Sequence, residues 1–400
     1  MASLPTRPSD VRVRGPLGAP AAAAVAAAFL VTMIGTTMPT PLYPLYQREF
    51  GFGGLMVTII FATYAVGVGA ALMLFGQLSD QVGRRPVLFG GLAAAALSAG
   101  AFLIPHHLPA LFAGRLLSGL SAGVFTGTAT ATVVDLAPPD RRTRYNLLAA
   151  AVNILGLGIG PVLAGALADF APAPLVLPYL VHLGLLALAA AGLLFVAEPV
   201  RRAEHVHWRI QKVSVPAEVR PAFVRAATAG FAGFAVLGLF TAVAPAFLGQ
   251  VLGVTDHLVT GLVVFAVFGS STVGQLLSVR LGERTALLAG CAALVVGVSC
   301  VGSALLVRSL PLLVAGAVVV GLGQGMSFRA GLGMVTGAAP DDRRGEVSSS
   351  FFLVLYVAIS VPVIGVGAAA QAFGLVPAGV TFTGVVALLA AVAFVRLRTL

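Results

Sequence analysis

Apolar stretches of about 20 residues, the length that crosses a bilayer as a helix, recur along the whole of this 400-residue chain. Twelve such spans fall at roughly 21–43, 55–78, 87–105, 109–134, 145–169, 174–196, 222–250, 258–279, 285–307, 311–336, 347–371 and 375–395. Only 10% of the residues are charged and 58% are hydrophobic, against about 25% charged in ordinary soluble domains. So few charges cannot cover the water-facing surface of a soluble chain this long, and disorder needs low hydrophobicity. The 48 glycines follow no three-residue period. That excludes collagen and suits membrane helices, whose backbones approach through small residues. The expected fold class is an all-α membrane protein with twelve transmembrane helices. Arg12 and Arg14 before an Ala-rich run imitate a secretory signal, but eleven further spans favour an uncleaved first helix.

A net charge of +10 would suggest nucleic acid in a soluble protein. Here the basic residues sort by side. Twenty of the 24 lie on one face. They are in the N-terminal tail (Arg7, Arg12, Arg14), loop 2–3 (Arg84, Arg85), loop 4–5 (Arg141, Arg142, Arg144) and the linker between spans 6 and 7. Loop 8–9 (Arg280, Arg284), loop 10–11 (Arg343, Arg344) and the C-terminus (Arg396, Arg398) complete the set. The other face has Arg48 and Arg308; Arg115 and Arg329 lie within spans. The positive-inside rule then places both termini in the cytoplasm of a plasma-membrane protein. The basicity is an orientation signal, and no nucleic-acid partner is expected. Cys291 and Cys300 would face opposite sides of one helix, roughly 13 Å apart along its axis, too far for a disulfide with each other.

The chain resembles itself at an offset of 202 residues: 108–142 and 310–344 share 14 of 35 positions without a gap. Leu108-Pro109 matches Leu310-Pro311, Gly119 and Gly123 match Gly321 and Gly325, and Pro138-x-Asp140-Arg141-Arg142 matches Pro340-x-Asp342-Arg343-Arg344. An even-span offset means two parallel six-helix bundles, a transporter signature with the site at mid-membrane between the halves. The expected organisation is a tail (1–20), a first bundle (21–196), a linker (197–221), a second bundle (222–395) and a tail (396–400). The linker, with its basic residues and the lone Trp208, reads either as a short amphipathic piece on the inner membrane surface or as a solvated connector.

Loop 2–3 reads Gly76-Gln-Leu78-Ser-Asp80-Gln-Val-Gly83-Arg84-Arg85. Gly76 permits close approach at the end of span 2, and Gly83 a tight turn into span 3. Asp80 sets a carboxylate at the membrane edge, facing a helix N-terminus or an arginine. This segment resembles the G-x-L-x-D-x-x-G-R-[KR] signature of the major facilitator superfamily, at the right place in a chain of two six-span halves. The resemblance implies that Asp80, Arg84 and the acid at the inner end of span 4, here Asp135, form a cluster that braces the halves when the protein faces outward. In the second half the segment is degenerate: Val279 replaces the carboxylate and Glu283 the first arginine.

Span 4 resembles the family's second motif, an arginine four residues before a glycine, in Arg115 and Gly119. An ionisable group inside a span marks a functional site by default. The resemblance implies that Arg115 faces the central cavity; the alternative is snorkelling to the outer headgroups. Arg329 in span 10 invites the same reading, and its repeat equivalent is Gly127. Span 5 carries Gly156-x-Gly158-x-Gly160-Pro161-x-x-Ala164-Gly165, similar to the G-x-x-x-G-P-x-x-[GA]-G motif of drug:proton exporters. Its glycines allow close packing and Pro161 kinks the helix.

The family likeness places spans 1, 4, 7 and 10 around the path. Polar candidates for it are Thr40 and Tyr43 in span 1, Tyr64 in span 2, Asn153 in span 5 and Gln324 in span 10. Pro39, Pro41, Pro44 and Pro245 interrupt spans 1 and 7. No Asp or Glu stands mid-span, so either protons ride an end-lying acid or His182, or coupling is absent; His182 itself reads as lipid-side packing in span 6, and neutral or anionic substrates are favoured over cations. A serine in Gly119-x-Ser121-x-Gly123 imitates a hydrolase elbow but lies mid-span without a partner His and acid. Neither a phosphate-binding loop nor a metal-spaced His/Cys cluster is present, so no cofactor, metal or enzymatic activity is expected. The expected function is secondary transport: proton-coupled efflux of a small amphipathic molecule across a bacterial inner membrane by a monomer. The rivals are an uptake symporter or facilitator for a metabolite, and a transport-inactive sensor or scaffold, which has no need of a gate motif.

Overall fold

The computed structural model describes residues 18–76, 78–104, 107–200, 203, 205, 211, 213–340 and 343–398. Most of the N-terminal tail 1–20, Gln77 of the loop 2–3 signature, and the linker around Trp208 and Lys212 lie outside the described residues.

Twelve helices are long and apolar enough to cross a membrane, and no strand occurs among the described residues. The first half contains α1 (Gly18–Thr37), a short α2 (Tyr43–Phe50), α3 (Gly54–Phe75), a short α4 (Leu78–Val82), α5 (Arg84–Phe102), α6 (Leu108–Asp135), α7 (Arg142–Phe170) and α8 (Leu177–Leu194). The second contains α9 (Arg220–Ala242), a short α10 (Ala244–Gln250), α11 (His257–Leu281), α12 (Glu283–Val307), α13 (Leu310–Ala338), α14 (Arg344–Phe373) and α15 (Leu375–Arg398). Alternation of direction puts the start of α1 and the end of α15 on one face, here the terminal face.

Local chemistry sets the boundaries. Pro39, Pro41 and Pro44 break the first span between α1 and α2, where a single 3-10 turn covers Thr40–Leu42. Prolines lack the donor a continuous helix needs. The seventh span breaks in the same way at Val243, just before Pro245. The turns into α5 and α12 are made by Gly83 and Gly282, with φ of +101° and +75°, a region costly for a residue with a Cβ.

The sequence repeat corresponds to one repeated helix crossing. In the first half, Gly119 and Gly123 of α6 lie against the backbone of α3 at Tyr64, Gly67 and Val68. In the second, Gly321 and Gly325 of α13 lie against the backbone of α11 at Val267 and Ser271. A Cβ at any of the four would collide, so small residues set the helix separation. Apolar side chains such as Leu97, Leu188, Phe195, Leu306 and Leu388 face outward, as a lipid-facing surface requires. The halves meet mainly along two pairs, α7 with α11 and α3 with α14.

Candidate functional site

A cavity of about 870 Å³ lies between the halves, lined by α6 and α7 from the first and by α11, α13 and α14 from the second. It reaches from Thr126 and Asn153 to Asp135, Asn146, Gly282 and Glu283, residues at the terminal-face ends of their helices. The family expectation of spans 1, 4, 7 and 10 is therefore met in spans 4 and 10 only. Among the described lining residues none comes from α1 or α9; spans 5, 8 and 11 take their place.

The opposite face is sealed by α7 and α11, two of the helices that line the cavity. Gly165 of α7 abuts the carbonyl of His257, and Gly261 of α11 abuts the carbonyl of Pro161. Asp169 accepts N–H bonds from His257 at 3.1 Å and Leu258 at 2.7 Å, and its carboxylate meets His257 Nδ1 at 2.7 Å. A carboxylate on the first N–H groups of α11 is favoured by their unpaired donors and by the helix dipole. The span 5 motif divides its glycines between two faces. Gly156 and Gly160 pack on α1 at Leu30, Met33 and Ile34, whereas Gly158 and Gly165 pack on α11 across the boundary. The seal through Asp169 and His257 was not legible as such, because two end-lying residues 88 apart carry no motif.

Two residues expected on the path line the cavity, Asn153 and Arg329. The others do not. Arg115 is 2% exposed, and its guanidinium neither faces the cavity nor snorkels outward. It donates to the Thr36 carbonyl at 2.6 Å and lies over the rings of Phe61 at 5.3 Å and Tyr64 at 5.0 Å. The carbonyl is available because the helix ends nearby: Thr36 stands in the last turn of α1 ahead of the prolines. Thr40 and Tyr43 are buried in the same break, behind the seal. Tyr64 is occupied by Arg115 and by Tyr356, whose ring lies 6.3 Å away. Gln324 is buried in the second half, where its side-chain oxygen accepts from Ser271. His182, expected to face lipid, is 2% exposed and contacts the Val31 carbonyl at 3.1 Å.

At the terminal face, Arg84 contacts Asp80 at 2.6 Å and Asp135 at 3.1 Å, and donates to Ser79 Oγ at 2.6 Å. These three bonds all stay within the first half. Glu198 completes it: its carboxylate accepts the backbone N–H groups of Arg84 at 2.7 Å and Arg85 at 3.0 Å. A Cβ on Gly83 would run into that carboxylate, a second reason for glycine beyond its φ. Arg85 also donates to the Leu194 carbonyl at 3.2 Å, and Gly76 makes room for the linker side chain of Gln211. Glu198, just beyond the sixth span, escaped sequence reasoning because an acid in a linker looks merely solvated. No group of three or more His, Cys, Asp or Glu able to hold a metal ion occurs among the described residues.

Two helical bundles around a cavity open at one face and sealed at the other define a membrane transporter fold. The chain belongs to the Major Facilitator Superfamily, whose profile matches residues 25–362. Among solved structures it is similar to a bacterial homolog of the human lysosomal transporter Spinster. In the inward-facing unoccupied conformation the TM-score is 0.78 at 15% identity, covering 96% of this chain and 98% of the other. Among curated proteins, a chloramphenicol resistance protein of Pseudomonas aeruginosa is 28% identical over 182 residues, 45% of this chain and 43% of the relative. A class H tetracycline resistance protein of Pasteurella multocida is 32% identical over 174 residues, 42% of each. The quinolone resistance protein NorA of Staphylococcus aureus is 26% identical over 140 residues, 34% of this chain and 36% of the relative. The matched segments thus span roughly two fifths of these relatives' lengths.

Proposed function

We propose that this transporter exports a small amphipathic molecule by alternating access, driven by proton antiport, as a monomer with both termini in the cytoplasm. The observation that carries this reading is the cavity of about 870 Å³ between the halves, open at the terminal face while α7 and α11 close the opposite face. Loading would occur from the cytoplasm, because the basic loops lie on that face. The span 5 glycines and the drug-resistance relatives support export over uptake. The Asp80, Arg84 and Asp135 cluster serves as the cytoplasmic gate: its bonds lie within the first half while the cavity is open, and Asp80 stays 59% exposed at its edge, placed to engage the second half on closure. Inverted membrane vesicles carrying a pH gradient test this. A transported substrate should collapse the gradient in the wild type and much less in Asp80→Asn. Undiminished collapse in that variant would remove Asp80 from the gate, and substrate accumulation with no proton movement would remove antiport.

A further inference from the structure

Among the described residues the cavity has one lining cation, and it is left without a bonded partner. Arg329 of α13 lines the cavity, partly exposed, with no ion pair or hydrogen bond to any described residue. Of the two lining acids, Asp135 is already engaged by Arg84 at 3.1 Å, and Glu283 lies exposed at the rim. Gln275 of α11 shares the cavity wall at 3% exposure, and both its side-chain oxygen and nitrogen are buried without a partner. Buried amides are almost always bonded, so this one is set to bond something that enters. Phe328 and Phe352 also line the wall, with ring centroids 6.0 Å apart. The position equivalent to Arg329 in the other half is Gly127, where an added Cβ would meet nothing within 4 Å.

We infer that the cargo is an aromatic or similarly apolar molecule bearing a carboxylate, held by Arg329 and Gln275 with its apolar body on Phe328 and Phe352. The inference rests on the transport reading above and names its substrate class. A guanidinium has only donors, in a fork that matches the two oxygens of a carboxylate. A cationic cargo would sit beside Arg329, with Glu283, exposed at the rim, the one uncommitted acid among the described lining residues. A neutral cargo would leave the guanidinium unpaired once the cavity closes and expels water, which a membrane interior penalises. An anionic cargo cancels that charge at the moment of closure, and the Gln275 amide supplies a further donor.

The test is ligand-dependent thermal stability of the purified full-length protein, using benzoate, 4-phenylbutyrate and 2-naphthoate alongside their uncharged amides. At least one carboxylate should stabilise the wild type while its amide does not. Arg329→Gln should weaken that carboxylate about thirtyfold, Gln275→Leu by a smaller factor, and Arg329→Lys should restore part of the loss. Glu283→Gln, which removes the rim acid, should leave or improve carboxylate affinity. Equal stabilisation by the amides, stabilisation by no carboxylate, or an Arg329→Gln variant that binds as the wild type does would each overturn the inference. Ligand-free melting of each variant separates lost binding from lost folding. Binding is measured without transport, so a protein that binds carboxylates but moves nothing would defeat the export reading alone.

Discussion

Arg115 and Arg329 are the two charges set deepest within the spans, one in each half, and their surroundings are opposite. Arg115 belongs to the sealed end. It is wrapped by Phe61, Tyr64 and the Thr36 carbonyl at the break of the first span. Arg329 belongs to the open end, faces a cavity, and makes no hydrogen bond or ion pair to a described residue. A buried charge with partners is part of the packing, and removing either side leaves an expensive remainder. A charge facing a cavity costs little while water reaches it and becomes available to a ligand. Span position alone does not separate the two cases.

The largest expected effect on stability falls on the sealed side. Arg115→Met should lower stability by about 3 kcal/mol, since it removes a charge-assisted hydrogen bond and two desolvated cation–π contacts. Thermal melting of the detergent-purified protein measures it, and an unchanged melting temperature would erase the contrast. Next comes Gly165→Val. It forces branched carbon against the His257 carbonyl and should cost about 1–3 kcal/mol, the usual overpacking penalty. Its sharper readout is faster modification, from the face opposite the termini, of a cysteine placed in the cavity. Asp169→Asn should weaken the same seal by about 1 kcal/mol, the typical value of a helix-capping acceptor, with the same labelling readout. Smallest of all, Arg329→Met should shift ligand-free melting by no more than about 0.5 kcal/mol, as for a partly exposed residue with no hydrogen bond or ion pair to a described residue. A loss as large as that of Arg115→Met would mean the two arginines play the same part.

Span number, bundle organisation and the breaks at Pro39 and Pro245 were legible because hydropathy and proline chemistry act locally. The repeat foretold that Gly119 and Gly321 would make matching crossings, since a glycine that permits close approach does so in both copies. Arg84 beside Asp80 and Asp135 was legible through the family signature. The surroundings of Arg115 were not. Its main partner is a backbone carbonyl freed by prolines in another span, and a carbonyl leaves no mark in composition. The lining helices were misjudged for a similar reason. Which helices face a cavity depends on the conformational state, and here no described residue of spans 1 or 7 lines it while spans 5, 8 and 11 do.

The central claim is that water and cargo reach the space beside Arg329 from the terminal face while the opposite face is shut. The direct measurement is a single cysteine at Gly127, where a side chain meets open space, in a chain with Cys291 and Cys300 replaced by alanine. A membrane-impermeant thiol reagent is then presented to one face at a time. The account predicts rapid modification from the face carrying the termini, slower modification from the other, and partial recovery of the second rate in Gly165→Val. Equal rates from both faces, or no modification from the terminal face, would contradict it.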